Sequence, residues 1–473
     1  MIFKIKAKQT ILACTLISML GVTACSGNPT AAPTVSEGKS GSGPKTVSLS
    51  VMTSDRFLEL AKQKFEEAHP DIKIEIKEYA AAPNTATKAQ GPGQNIVMMT
   101  KPDPKNIEKY VSSVGAELMS GKASDLIVTS NLPYKKYADK KLLENMGDMM
   151  NKDASFPKDN YYTGVFEAMK YDGVLYNVPV RIGLNKWLGN LNVLGSEKID
   201  DTKWTWADFK KLAQNWMADK NNDGKPDAYP LGKIDPDQLI TLMLNSSYNK
   251  FVDAGGKKAS FDKPEFINLL KLAKSMYDDN IIQGDNADKD AVVFQPKSNL
   301  LMYMDMYAMP KMSFDGKSSF YDLPSENETR GSSFTSSLPV AMNSKSPNKK
   351  EAWEFVKFLL SDEMQSTMEL NGFAVNKNGA KAQGDTLKKL GSGEGGKNMK
   401  LNINGKSMTL QPATDEEIAA IEKAVSNAKV IAESDPKISM VVAEETAPFF
   451  QGQKSAEEVA KVIQNKVSTY LQE

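Results

Sequence analysis

Histidine, cysteine and arginine are scarce in this chain of 473 residues, which holds one histidine, two cysteines and three arginines. A zinc site with three histidine ligands is excluded, and His69 would have to serve alone in any Ser-His-Asp triad. Arg56, Arg181 and Arg330 leave few places for bidentate recognition of anions. Basic and acidic residues balance at 59 each, without long basic runs, which argues against a protein held to nucleic acid by phosphate contacts.

Long apolar runs are also rare, and the clearest one lies near the first residue. Lys4, Lys6 and Lys8 precede an apolar stretch over residues 11–22, which is shorter than the ~20 residues of a membrane span and has the layout of a secretory signal. The stretch ends in Val-Thr-Ala-Cys, which resembles a bacterial lipobox with Cys25 as the lipidated residue. A plain cleaved signal with an incidental cysteine is the alternative.

Residues 1–24 are therefore predicted to be a lipoprotein signal peptide, and residues 25–46 a lipidated cysteine with a flexible tether rich in Gly, Pro, Ser and Thr. Cleavage would leave 449 residues and lower the net charge from zero to −3, because it removes three lysines and no acid. It would also remove Cys14 and so exclude an internal disulfide. We expect a protein anchored by lipid to the extracellular face of the cell membrane. Its lysine-rich composition is compatible with a Gram-positive cell.

Strand and helix patterns alternate after this tether. Residues 47–52 and 72–76 alternate apolar and polar side chains, as strands do, and Phe57, Ala61 and Phe65 recur between them at helical spacing. A strand–helix–strand unit favours a parallel sheet, so the sequence predicts an α/β fold. The length of the chain predicts two or three domains.

Five short blocks follow one another along the chain: Phe65–Ile74, Gly121–Asp125, Leu175–Lys186, Thr205–Trp206 and Ser346–Glu363. Together they resemble the extracellular solute-binding proteins of ABC importers, family 1, of the maltose-binding-protein type. Two blocks depart from the family pattern, since Ser124 replaces a proline and Leu184 replaces a tyrosine. The blocks span nearly the whole mature chain, and their order makes the resemblance specific.

The resemblance implies a two-lobed fold of the type II periplasmic binding proteins, in which each lobe is a mainly parallel sheet flanked by helices. The N-terminal lobe would comprise residues 47–179 plus 338–373, and the C-terminal lobe residues 180–335 plus 376–473. Hinge strands would join them near residues 177–182, 334–338 and 371–375.

Such a protein captures a carbohydrate or another small solute by hinge closure and delivers it to the permease subunits of an ABC importer. We expect a monomer that is not an enzyme and that meets the membrane through its lipid only. A surface lipoprotein that senses a ligand with the same fold is an alternative. Paired carboxylates could also hydrolyse glycosides without histidine, although the chain has no recognisable catalytic block.

Polar and aromatic side chains near the expected cleft are candidate ligand contacts, because a sugar offers hydroxyl groups and apolar ring faces. They are Asp55, Arg56, Asn131, Tyr134, Arg181, Trp187, Asp305 and Tyr307. Helix capping is the alternative for Asp55, and an interlobe ion pair for Arg181. Core packing is the alternative for Trp187, and a structural hydrogen bond for Asp305.

Residues 219–227 carry oxygen ligands at the spacing of an EF-hand-type calcium loop, with glycine at the sixth position. The candidate ligands are Asp219, Asn221, Asp223 and Asp227 through their side chains and Lys225 through its carbonyl. Pro230 stands where such loops have a bidentate glutamate. The motif predicts structural Ca²⁺, and a turn that binds no metal is the alternative.

Overall fold

Two β-sheets with helices packed on them organise the chain. The computed structural model describes residues 43–80, 103–195, 199–217, 219, 222, 224, 226–253, 255, 257–283, 292–390, 400–403, 406–432 and 435–472. Cys25 and the predicted signal lie outside these ranges. Within the ranges, no helix combines the length and the apolar composition needed to span a bilayer.

The strands are β1 (Lys45–Val51), β2 (Ile72–Glu78), β3 (Leu126–Val128), β4 (Asn177–Pro179), β5 (Arg181–Asn190), β6 (Tyr229–Leu231), β7 (Val252–Asp253), β8 (Lys258–Ala259), β9 (Val292–Leu300), β10 (Ser318–Tyr321), β11 (Ser332–Ser336), β12 (Pro339–Met342), β13 (Phe373–Ala374), β14 (Lys400–Ile403), β15 (Lys406–Thr409) and β16 (Ala428–Ile431).

The α-helices are α1 (Arg56–Ala68), α2 (Pro104–Ser120), α3 (Tyr134–Asp139), α4 (Met146–Lys152), α5 (Thr163–Ala168), α6 (Leu191–Leu194), α7 (Trp206–Trp216), α8 (Pro236–Ser246), α9 (Tyr248–Phe251), α10 (Pro264–Asp278), α11 (Tyr303–Met312), α12 (Lys349–Leu359), α13 (Asp362–Gln365), α14 (Lys377–Lys388), α15 (Asp415–Ser426), α16 (Pro436–Phe450) and α17 (Ala456–Gln472). Short 3₁₀ helices occupy Lys158–Asn160, Phe314–Gly316 and Met368–Leu370.

The first sheet has the strand order β2-β1-β3-β12-β4. The inward residues of β1, Val47, Leu49 and Val51, are at most 1 % exposed, as the alternation in the sequence predicts. Helix α1 covers them with Phe57 and Phe65, which are fully buried. β1 pairs parallel with β2 and β3, while β12 runs antiparallel to β3 and β4.

The second sheet has the strand order β16-β11-β5-β9-β6, and β10 and β13 also pair with β5. Its central strand β5 is antiparallel to β9, β10, β11 and β13, whereas the pairs β6–β9 and β11–β16 are parallel. Both sheets are thus mixed rather than mainly parallel. The reason is that the strands by which the chain passes between the sheets pair antiparallel with their neighbours.

The chain passes between the two sheets at three places within the described ranges. Val180 separates β4 from β5, residues 337–338 separate β11 from β12, and β13 brings the chain back to β5 after α12 and α13. We call these places the crossings. We call residues 45–179 plus 339–370 the first half of the molecule, and residues 181–336 plus 373–472 the second half. A small apolar cluster surrounds Tyr110 in the first half, and a larger core surrounds Trp187 in the second half. The main core lies under the first sheet and continues through the crossings to α11, α14 and α15 of the second half.

Gln365 ties two of the crossings together inside this core. Its side chain is fully buried, and its amide nitrogen donates to the carbonyls of Val180 at 2.8 Å and Leu359 at 3.0 Å. Its oxygen accepts the N–H of Val375 at 2.9 Å, so every polar group of the amide is used except one acceptor site. Gly379 packs against it, because a Cβ there would lie 2.6 Å from the Cβ of Gln365.

A buried ion pair lies deep in the second half. The ammonium of Lys186 contacts Asp322 Oδ1 at 2.5 Å and Ser332 Oγ at 2.8 Å, and both charged side chains are less than 10 % exposed. Asp201 stands next to it and accepts the backbone N–H of Asp322. Burial raises the pKa of Asp201, and the neighbouring Asp322 carboxylate acts in the same direction.

The raised pKa of Asp201 predicts how its contribution to the stability of the folded protein changes with pH. A raised pKa means that this carboxyl destabilises the folded protein increasingly as the pH rises from about 3.9, the value in the unfolded chain, through the folded value. Asp201→Asn keeps an oxygen acceptor and never ionises. It should therefore raise the melting temperature relative to the unsubstituted protein at neutral pH, and by less at about pH 3.

Asp200 offers a control of opposite sign, because a hydrogen bond from the Thr202 hydroxyl lowers the pKa of its carboxyl. Asp200→Asn should lower the melting temperature at neutral pH, and by less in acid. If both asparagine variants shifted the melting temperature in the same direction, the burial of the Asp201 carboxyl group would not explain the effect of Asp201→Asn.

Candidate ligand-binding cleft

Asp55 stands at the carboxyl end of β1, where the first half faces the second. It is the N-cap of α1, and its Oδ1 accepts the N–H of Leu58 at 3.0 Å. Its Oδ2 accepts the guanidinium of Arg181 at 2.6 Å. The side chain therefore caps a helix and forms an ion pair between the halves.

The guanidinium of Arg181 meets all three crossings. The residue is 9 % exposed and begins β5 directly after Val180. Its Nε donates to Ser337 Oγ at 3.1 Å and its Nη1 to the carbonyl of Leu370 at 2.8 Å, in addition to the bond with Asp55. Gly372 allows this close packing, because a Cβ there would lie 2.8 Å from the Cβ of Arg181. The ion pair named above as the alternative for Arg181 is thus present.

The other candidates from the first half lie at the ends of its strands and differ in exposure. Arg56 and Asn131 are exposed, and Asn131 has a φ of 66°, in the left-handed region that asparagine tolerates in turns. Tyr134 begins α3 and is 5 % exposed, with its ring edge-on to Tyr171 at 6.4 Å between centroids. Arg56 and Asn131 therefore lie at the surface, whereas Tyr134 packs inside its own half.

Trp187 lies in the core of the second half. Its indole has no exposed surface, and four aromatic rings surround it at centroid distances of 4.9–5.7 Å. They belong to Trp204, Trp206, Phe209 and Phe294. In this structure the indole offers no face on which a sugar could stack.

Asp305 and Tyr307 both lie on α11. The carboxylate of Asp305 accepts the N–H groups of Leu301 at 2.9 Å and Met302 at 3.0 Å and so caps the helix. Tyr307 is 3 % exposed and its hydroxyl donates to the carbonyl of Gln411, while burial raises its pKa. Both side chains hold α11 in place.

A cavity of about 870 Å³ lies between the two halves. The first half lines it with α5 and Lys170. The second half lines it with residues 249–251, with Ser260, Lys263 and Glu265, and with residues 327–329 and 429–431. Its volume falls in the range of small-molecule sites, about 300–1,000 Å³. None of the eight residues predicted from the sequence lines it.

The lining of this cavity combines many polar and charged side chains with apolar ones such as Phe251 and Ile431. Lys170 pairs with Glu167 at 2.7 Å. Asn327 is 5 % exposed; its amide nitrogen donates to the carbonyl of Ser246 at 3.0 Å. All five tryptophans of the chain are at most 5 % exposed, so hydrogen bonds rather than indole stacking would hold a ligand there.

The predicted calcium loop is only partly described. Asn221, Asp223 and Lys225 lie outside the described residues. Asp219 accepts the N–H of Gly224 at 2.8 Å, as a compact loop would require.

The three hydrogen-bond partners of Arg181 predict that its guanidinium group is needed for the stability of the folded protein. Arg181→Lys keeps the charge but cannot reach Asp55, Ser337 and the carbonyl of Leu370 together, so it should lower the free energy of unfolding by about 2–4 kcal/mol. Urea unfolding followed by circular dichroism measures the change. Arg56→Lys, at an exposed position, is the matched control and should change it by less than about 0.5 kcal/mol. Equal losses in the two variants would contradict this role.

The comparison with known proteins agrees with this architecture. Residues 52–366 match the model of the bacterial extracellular solute-binding protein family. Similar solved structures include a periplasmic oligogalacturonide-binding protein from Yersinia enterocolitica, with 12 % identity and a TM-score of 0.59 over 90 % of this chain and 99 % of that one. The sugar-binding protein MalE from Xanthomonas citri has 14 % identity and a TM-score of 0.58, over 90 % of this chain and 98 % of that one.

A family 1 extracellular solute-binding protein from Alicyclobacillus acidocaldarius is similar over 91 % of this chain and all of its own length, with 13 % identity and a TM-score of 0.56. The fold is the two-lobed α/β fold of the type II periplasmic binding proteins, with hinge segments between the lobes. The chain belongs to the family of bacterial extracellular solute-binding proteins.

Proposed function

We propose that this protein captures an extracellular oligosaccharide between its two halves and delivers it to an ABC importer. The observation that carries the proposal is the cavity of about 870 Å³ that both halves line. A ligand in such a cavity contacts both halves at once, so its binding stabilises the closed form over the open one. Only a closed, loaded receptor then needs to engage the permease subunits.

A carbohydrate suits this lining better than an apolar solute. The cavity presents amide, ammonium and carboxylate groups, which match the donors and acceptors of sugar hydroxyls. The similar structures named above include proteins described as sugar-binding and oligogalacturonide-binding. The volume leaves room for more than one sugar ring.

A panel of mono- and oligosaccharides in a thermal-shift assay tests the proposal. A sugar at 100 times its Kd should raise the melting temperature by about 2–5 °C. Ala168→Trp should abolish the shift, because Ala168 lines the cavity and an indole there would fill the ligand's space. Ala420→Trp, at an exposed position of α15 outside the cavity lining, is the control and should keep it.

Three results would contradict parts of the proposal. A shift that survives in Ala168→Trp would place the site elsewhere. Release of shorter sugars from the panel at a catalytic rate would indicate an enzyme. Binding in vitro without loss of radiolabelled sugar uptake in a deletion strain would indicate a sensor that works without an importer.

We further propose that Cys25 carries the lipid that holds the receptor at the extracellular face of the membrane. The apolar run before Val-Thr-Ala-Cys supports this, since it fits a lipoprotein signal. Mass spectrometry of the protein extracted from membranes should find an N-terminal Cys25 with a diacylglyceryl group and an amide-linked chain. An unmodified N-terminus after residue 24 would refute it.

A structural Ca²⁺ in the loop over residues 219–227 is a separate proposal, which the spacing of its oxygen side chains supports. Calorimetric titration of the chelator-treated protein tests it. The absence of both heat and a higher melting temperature at millimolar calcium would refute it.

A further inference from the structure

One aromatic ring of the second half lies against a lysine of the first half. The Nζ of Lys136, on α3, is 4.5 Å from the centroid of the Tyr470 ring, on α17. Neither residue belongs to a crossing, so a rotation of the halves about the crossings moves Lys136 relative to the ring. Lys136 is half-buried in the middle of α3, and Tyr470 lies near the end of α17, where it packs against the core of the second half.

Tyr470 is held in place by its own half. Its hydroxyl donates to Asp435 Oδ2 at 2.8 Å, and Asp435 also caps α16 by accepting the N–H of Lys437 at 2.8 Å. The Nζ of Lys437 lies 4.4 Å from the centroid of the same ring. The ring thus meets two ammonium groups at nearly equal distances, one from each half of the molecule.

A second contact between the halves lies beside the cavity. Gly255, in the turn between β7 and β8, lies beside the first half. A Cβ at this position would be at ordinary van der Waals distance, 3.6 Å from Tyr171 Cε2 and 3.7 Å from the Cβ of Asp172. Lys170 directly precedes Tyr171, and Phe251 directly precedes β7. Both residues line the cavity. The halves therefore meet beside the cavity as well as at Lys136 and Tyr470.

We propose that Lys136 and Tyr470 form a latch, a cation–π contact between the halves that stabilises the closed form and keeps part of the ligand-free protein closed. The latch proposal shares one premise with the proposed function, which is that the two halves open and close. A cation–π contact at an exposed site contributes about 0.5–1 kcal/mol and acts within about 6 Å of the ring centroid. Loss of the latch should therefore lower the ratio of closed to open protein by about two- to fivefold.

The distance between two spin labels, one on each half, measures this ratio without any sugar. Met119 on α2 and Met440 on α16 are exposed positions for the label cysteines, in a full-length chain in which Cys14 and Cys25 are serine. Lys136→Met should shift the distance distribution toward the longer, open distance by the stated factor. Because no ligand is added, failure of the sugar screen and failure of the latch are distinguishable.

The two lysines on the ring provide the matched control. Lys437→Met removes an ammonium group from the same ring within one half and should leave the ratio unchanged. Tyr470→Phe keeps the ring and loses only the bond to Asp435, so it should retain the latch, whereas Tyr470→Leu should behave as Lys136→Met does. An unchanged ratio in Lys136→Met, an equal shift in Lys437→Met, or a ligand-free protein with no closed fraction would each overturn the proposal.

Discussion

The guanidinium of Arg181 is the contact on which the arrangement of the two halves depends. It is nine-tenths buried, and its donors reach Asp55, Ser337 and the carbonyl of Leu370, which belong to different passes of the chain. Separation from any one of them would leave a buried charge with an unpaired donor, which costs several kcal/mol. Arg181 therefore joins the crossings and the start of α1 into one hydrogen-bonded unit.

Two kinds of contact join the halves, and they differ in burial. At the crossings, Arg181 and the fully buried Gln365 form hydrogen bonds whose loss would leave buried polar groups without partners. Lys136 and Tyr470, in contrast, are only half-buried, and water can replace their contact at little cost. Strong bonds at the crossings and a weaker contact away from them fit the hinge closure that we propose.

The sequence predicted the family, the alternation of β1 and β2, and the start of α1, because these depend on local patterns. It could not decide the role of Asp55, since its partner Arg181 lies 126 residues further on. Trp187 lies in a strand whose ten residues are all buried, so no alternation marks which side chains face a core. The cavity joins α5 to β16, and no short-range pattern reports on such a juxtaposition.

The burial of all five tryptophans has a consequence for spectroscopy. Four of them lie in the core of the second half, and Trp353 packs on Phe156 in the first. Their emission should be that of indoles in an apolar environment, at short wavelength and poorly quenched by iodide. None of them lines the cavity, so the tryptophan fluorescence of this protein should report unfolding and should change little when a ligand binds in the cavity.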